Sequence, residues 1–147
     1  ALYAASLAMT KAYKPLLAPL GITYPQYLVL LVLWEGDGIT VSQLGDRLTL
    51  DSGTLTPLLK RLDAQGLLQR QRDAADERRV LLHLTAAGAA LRAQAMAVPQ
   101  AIACATACDL QQIGALATQL HQLRRQLQAS ASVPAAPPAG VAVPPRP

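Results

Sequence analysis

The sequence predicts a mainly helical fold with one small β-hairpin, and three observations lead there. Apolar residues recur at helical spacing through most of the chain. Two short strand-like runs, 67–72 and 80–84, flank the polar, charged loop 73–79. Glycine, proline and hydroxyl residues fall between the periodic stretches, where caps and turns are needed.

Taken in order, residues 2–20 read as a first helix with apolar positions at Leu2, Leu7, Leu16, Leu17 and Leu20. Pro15 is expected to kink or interrupt it, and Gly21 ends it. Thr23 is placed to cap a second helix over about 24–36, apolar almost all round from Tyr24 to Trp34 and therefore central to the core. After Gly36-Asp37-Gly38, Thr40 or Val41 opens a short helix through Leu48, and Thr49-Leu50 makes a tight turn. Asp51 then caps a helix from Ser52 to Gln65. In it Leu55, Leu58, Leu59 and Leu62 form a buried stripe, opposite Gly53, Thr56, Pro57 and Lys60. Gly66 leads into the hairpin. Thr85 caps a long helix to about residue 101, with Pro99 marking a bend or break. A last helix runs from Asp109 to about Gln128 on Ile113, Leu116, Leu120, Leu123 and Leu127. From Ala129 onward Ala, Pro, Ser, Val and Gly dominate, which predicts a disordered or polyproline-like tail over 129–147.

The 147 residues suffice for one domain with a real core. Hydrophobic residues make up 52%, yet the longest apolar run, Tyr27 to Trp34, falls well short of the roughly 20 residues that span a bilayer. No membrane association is expected, and the surplus of Ala and Leu suggests helices covered by a partner subunit. A formal charge of +4 is only mildly basic. Its distribution is more telling, because Lys60, Arg61, Arg70, Arg72, Arg78 and Arg79 crowd into positions 60–79, an electrostatic footprint for phosphate. Cys104 and Cys108 share a helix face but match no disulfide framework or metal pattern. The N-terminus lacks the basic region of a secretory signal, so a cytoplasmic location is expected. His83 and His121 stand in no catalytic spacing, and no glycine-rich phosphate loop occurs. Neither an enzyme, a cofactor nor a metal is expected.

A short helix followed by a capped amphipathic one can place the second in a DNA major groove, which admits a single α-helix. Ser52, Thr54 and Thr56 with Lys60 and Arg61 suit base-edge and phosphate contact. The charged hairpin beside it can lay an arginine along the backbone or into the minor groove. Spacing alone leaves open the plainer reading of a helical bundle with a solvated charged loop.

Three stretches carry a resemblance. Asp76-Glu-Arg-Arg-Val-Leu-Leu-His-Leu-Thr-Ala-Ala-Gly88 resembles the wing signature of MarR-family repressors. Leu50-Asp-Ser-Gly-Thr-Leu-Thr-Pro-Leu-Leu-Lys-Arg-Leu62 resembles the recognition helix of one subgroup, the organic hydroperoxide resistance regulators (OhrR), and Gly21–Trp34 also resembles that subgroup. The resemblance implies a winged helix-turn-helix in an intertwined homodimer that binds double-stranded operator DNA with an inverted repeat. Residues 1–20 and 89–128 would form the helical dimerisation region and 21–88 the DNA-binding region. Ser52, Thr54, Thr56, Lys60 and Arg61 would meet the major groove and Arg78, braced by Asp76, would sit at the wing. Arg70, Arg72 and Arg79 would contact phosphates.

In this subgroup the signal is oxidation of a cysteine by an organic hydroperoxide. The reactive cysteine of relatives lies a residue or two ahead of the Ala-Leu-Tyr that opens this sequence, so the resemblance implies a reactive thiol upstream of Ala1. Tyr13 and Tyr24 match the subgroup's partners of that thiol, and Cys104 its resolving cysteine in the other subunit, with Cys108 the alternative. The competing expectation is a MarR-type repressor released by a bound phenolic or aromatic ligand, without thiol chemistry.

Overall fold

The structure, a computed structural model, describes residues 1–131. They fall into two units, Ala1–Ala107 and the stretch from Cys108 onward. In the first unit helix α1 spans Leu2–Leu17 and runs through Pro15 rather than ending there; one turn of tighter helix, Ala18–Leu20, finishes the segment expected as one helix over 2–20. Gly21, in the left-handed region at φ 68°, turns the chain into α2, Tyr24–Glu35. There the backbone N–H of Thr23 donates to Gln26 Oε1 at 2.8 Å.

Tyr27, Val29, Leu30 and Leu33 of α2 are buried, and around them close Leu44, Leu55, Leu59, Leu62, Leu68 and Leu82 from the elements that follow. Each fully buried leucine contributes about 1.5–3 kcal/mol relative to leaving it in water, so α2 is the post on which the domain is hung. Strand β1, Ile39–Thr40, precedes α3, Val41–Leu48, and α4, Ser52–Ala64. Thr40 caps α3, its hydroxyl accepting from Gln43 N–H at 3.1 Å. Thr49 supplies a left-handed turn at φ 56°. Gly45 allows the α3–α4 turn to close, because a Cβ there would come within 2.9 Å of the Leu50 carbonyl. The leucine stripe of α4 is buried as its spacing predicts, with Leu58 half-buried.

Strands β2, Leu68–Arg72, and β3, Val80–Leu84, form the expected hairpin. It is one side of a three-stranded antiparallel sheet, since β1 pairs with β3 through Ile39 opposite Leu82. A two-residue strand carries no period of its own, which is why the sequence reads only as a hairpin. Thr85 caps α5, Ala86–Ala95, through Gly88 N–H at 3.0 Å. The helix expected to about residue 101 stops earlier. Met96 and Ala97 separate α5 from α6, Val98–Thr106, where Pro99 sits in the first turn, the place its missing N–H costs least.

In the second unit α7 spans Leu110–Ala131. Asp109 and Gln112 exchange hydrogen bonds at its start, 2.7 and 3.0 Å. It extends past Gln128 into the first residues of the expected tail, whose remainder, 132–147, lies outside the described residues.

Candidate nucleic-acid interface and tyrosine site

Helix α4 leads with Asp51, whose Oδ1 accepts the Thr54 N–H at 2.9 Å while Oδ2 accepts the Thr54 hydroxyl at 3.0 Å. These two bonds, the backbone one first, hold the Asp51 carboxyl below its ordinary range. Ser52, Thr54, Thr56, Lys60 and Arg61 all lie on exposed surface of this helix. Thr56 meets Ser42 of α3 and Arg70, Arg78 and Arg79 of the hairpin in one shallow cleft, so four of the nine residues expected at DNA stand together.

The arginines are steered by carboxylates. Arg78 donates to Asp76 through Nε at 3.1 Å and through Nη2 at 3.3 Å, the brace expected from the sequence. The Arg78 side chain, then its backbone N–H, lowers the Asp76 pKa, with the Arg79 charge adding to it. Two further pairs had no counterpart in the sequence reading: Arg70 with Asp63 at 2.9 Å and Arg79 with Asp73 at 3.7 Å. Both carboxylates lie seven or fewer residues from their arginines, but Asp63 and Arg70 belong to different elements and Asp73 and Arg79 face each other across the hairpin loop, where spacing has no fixed meaning. Such exposed pairs add little stability; their effect is to orient the guanidinium groups. Among the described residues Lys60, Arg61 and Arg72 form no ion pair, so they carry the undiluted positive charge of this face. His83, on β3, is half-buried with Nδ1 3.8 Å from Asp37, a placement that fits a wing-anchoring residue.

On another part of the first unit, Tyr13 of α1 stacks on Tyr24 of α2 with ring centroids 4.4 Å apart. Tyr27 tilts against Tyr13 at 5.8 Å, and Trp34 lies edge-on to Tyr27 at 6.2 Å. Burial, and for Tyr13 the neighbouring tyrosines, push the phenol pKa values up. Both hydroxyls therefore stay protonated and available as donors. Cys104 and Cys108 are exposed, and neither is in a disulfide.

A link missed by sequence reading joins this region to α4. Buried Gln26 donates through Nε2 to Gln65 Oε1 at 2.8 Å, and Gln65 Nε2 donates to the Gly21 carbonyl at 3.0 Å. Gln26, three residues after Thr23, carries the spacing of a capping box; nothing local marks Gln65, 39 residues on, as its partner.

A family model described as transcriptional regulator SarA/Rot matches residues 11–94. The chain is 57% identical over 101 residues to the organic hydroperoxide resistance transcriptional regulator of Bacillus subtilis, covering 69% of each chain. It is 49% identical over 131 residues to the HTH-type transcriptional regulator TtmR of Methylorubrum extorquens, covering 89% of this chain and 67% of that one. Among solved structures, reduced AbfR bound to DNA superposes with a TM-score of 0.73 at 35% identity over 90% of both chains. A probable transcriptional regulator from Pseudomonas aeruginosa gives 0.74 at 31% identity, over 83% of this chain and 92% of that one. A mutant MarR from E. coli complexed with operator DNA gives 0.71 at 26%, over 83% and 89%. With the helix-turn-helix, wing and sheet described above, these matches show that the chain belongs to the winged-helix transcriptional regulators of the MarR/OhrR type.

Proposed function

We propose that this regulator is a homodimeric repressor that holds an inverted-repeat operator with α4 and the wing, and releases it when an organic hydroperoxide oxidises a cysteine. Two relatives in the same fold are bound to DNA, reduced AbfR and MarR, and the Bacillus relative is a regulator of organic hydroperoxide resistance. A second copy is the natural cover for the exposed apolar residues of α1 (Leu2, Tyr3, Leu7) and of α7 (Leu116, Leu120, Leu123, Leu127).

The observation that carries the sensing part is the stacked, protonated Tyr13–Tyr24 pair. Two neutral phenols favour a nearby thiolate by donating hydrogen bonds to it, which lowers the thiol pKa and raises its reactivity. From Leu2 to Tyr13 the helix rises about 17 Å at ~1.5 Å per residue. With the reactive thiol expected ahead of Ala1, at the far end of α1 from Tyr13, we take the pair to serve the thiol of a second copy. The thiolate attacks one peroxide oxygen, giving sulfenic acid and the alcohol; a second thiol, Cys104 or alternatively Cys108, displaces water to form an intersubunit disulfide. Closing that bond brings the two Cα atoms within about 7 Å. The accompanying helix movement shifts the two reading heads off the ~34 Å spacing of successive major grooves.

The test uses the complete protein, including any residues ahead of Ala1, and fluorescence anisotropy on an inverted-repeat duplex. One equivalent of organic hydroperoxide abolishes binding and a dithiol restores it; Cys104→Ser and Cys108→Ser variants identify the resolving thiol. Tight binding indifferent to peroxide leaves the DNA reading standing and removes the sensor. One observation favours a second reading in that event: an apolar groove over Tyr27, Leu31, Trp34, Met96 and Pro99, flanked by Glu35 and Arg92, suits a phenolic or aromatic ligand.

A further inference from the structure

We infer that the first turn and a half of α4 is a hydrogen-bond-accepting surface that reads the exocyclic amine of the base pair it faces, cytosine N4 or adenine N6, and so fixes which strand carries the amine-bearing base at that position. The inference rests on the DNA-binding reading above and deepens it from a shape argument to a chemical one. A threonine hydroxyl ordinarily donates or accepts as its surroundings require. Here two of them have lost that choice. The Thr56 hydroxyl lies 2.8 Å from the Ser52 carbonyl, four residues back on the same helix. A carbonyl can only accept, so Thr56 donates its proton there and turns lone pairs outward. The Thr54 hydroxyl lies 3.0 Å from Asp51 Oδ2. That carboxylate is ionised at neutral pH and can likewise only accept, so Thr54 also presents lone pairs.

Pro57 adds a third acceptor. It stands inside α4 and has no N–H, so the Gly53 carbonyl lacks the amide that would meet it in an uninterrupted helix. Gly53, Thr54 and Thr56 are all exposed. The nearest cationic donors of the helix, Lys60 and Arg61, lie a turn further on. The helix thus divides into an accepting N-terminal part and a donating C-terminal part. Every base pair shows one such amine in the major groove, N4 of cytosine or N6 of adenine, beside acceptors of the same pair, O6 and N7 of guanine or O4 of thymine and N7 of adenine. The accepting part pairs with the amine where cytosine or adenine lies on the facing strand, and sets lone pair against lone pair where that pair is inverted. The Lys60 and Arg61 end is suited to phosphate.

The test starts from duplexes selected in vitro by the full-length reduced protein from a random inverted-repeat library. In the selected duplex each adenine is replaced in turn by purine and each cytosine by 2-pyrimidinone, which removes only the amine. We expect a loss of affinity of about three- to tenfold at one to three positions per half-site. Thr56→Val, which keeps shape and methyl group, gives a comparable loss on the parent duplex and no further loss on the analogue at its own position; Thr56→Ser restores parent affinity. Pro57→Ala supplies an N–H to the Gly53 carbonyl, so the variant melts higher yet discriminates less. If no amine removal costs more than twofold while salt-sensitive binding persists, the inference is overturned and DNA binding stands. If no duplex is selected or bound, both fall.

Discussion

Between Ile39 and Leu84 no leucine is exposed, and α3 and α4 each begin on a side chain that accepts their N-terminal amides. Helices α1 and α7 show the opposite. Tyr3 is 77% exposed and Leu127 59%, and α1 starts without a side-chain cap. The reading head satisfies its own polar groups and buries its own apolar ones. In the proposed dimer a second copy covers what the two long helices leave exposed. Ile113, Leu116, Leu120, Leu123 and Leu127 alternate at steps of three and four, the seam of a helix meant to lie along another. The difference separates what this chain folds by itself from what it does as an assembly.

The largest effect should come from breaking that seam. Leu120→Asp with Leu123→Asp places four charges per dimer where each leucine contributes about 1.5–3 kcal/mol by burial. The dimer dissociation constant should rise at least about a thousandfold, roughly 4 kcal/mol, read by sedimentation velocity, with the head still folded by near-ultraviolet dichroism. A variant that remains dimeric at micromolar concentration would show that another surface joins the copies.

The head should break from within, at Gly88. A Cβ on Gly88 would collide with the Leu67 carbonyl, and Gly88 also accepts the Trp34 Nε1–H at 2.9 Å and donates to Thr85. One residue without a side chain thereby locks α5 against the entry of β2 and against α2. Gly88→Ala should cost about 3 kcal/mol or more in urea unfolding, an overpacking penalty with backbone on the receiving side. A loss under about 1 kcal/mol would mean that the helix slides away, and that the head is less rigid than its hydrogen bonds imply.

The same contrast explains what was legible beforehand. Helix positions in the head follow from leucine spacing and from Thr40, Asp51 and Thr85, because caps and stripes are local signals. The Asp76–Arg78 brace was legible for the same reason, being two residues apart and recognisable in the wing motif. Strand β1 escaped because Ile39 and Thr40 become a strand only by pairing with Leu82 and Leu81. The Gln26–Gln65 bond and the Arg70–Asp63 pair escaped because tertiary folding creates both. The polarity of Thr54 and Thr56 was equally hidden: the sequence offers hydroxyls, and only their neighbours decide which way the protons point.

The smallest effect tests that polarity by pH. Hydrogen bonds from Thr54 depress the Asp51 pKa. A depressed carboxyl contributes stability that is fully present above its unfolded pKa and is lost as pH falls through the folded value. The cap should therefore be intact at neutral pH and fail only below the ordinary carboxylate range. Asp51→Asn keeps the capping oxygen and removes the charge, so the difference in melting temperature between wild type and variant should shrink as pH drops from 6 towards 3. Asp76 titrates in the same direction, held down by Arg78, but it is present in both proteins and cancels in the difference. A constant difference across that range would mean that Asp51 gains nothing from ionisation. Thr54 would then be free to turn its proton outward, and the accepting surface of α4 would rest on Thr56 and Gly53 alone.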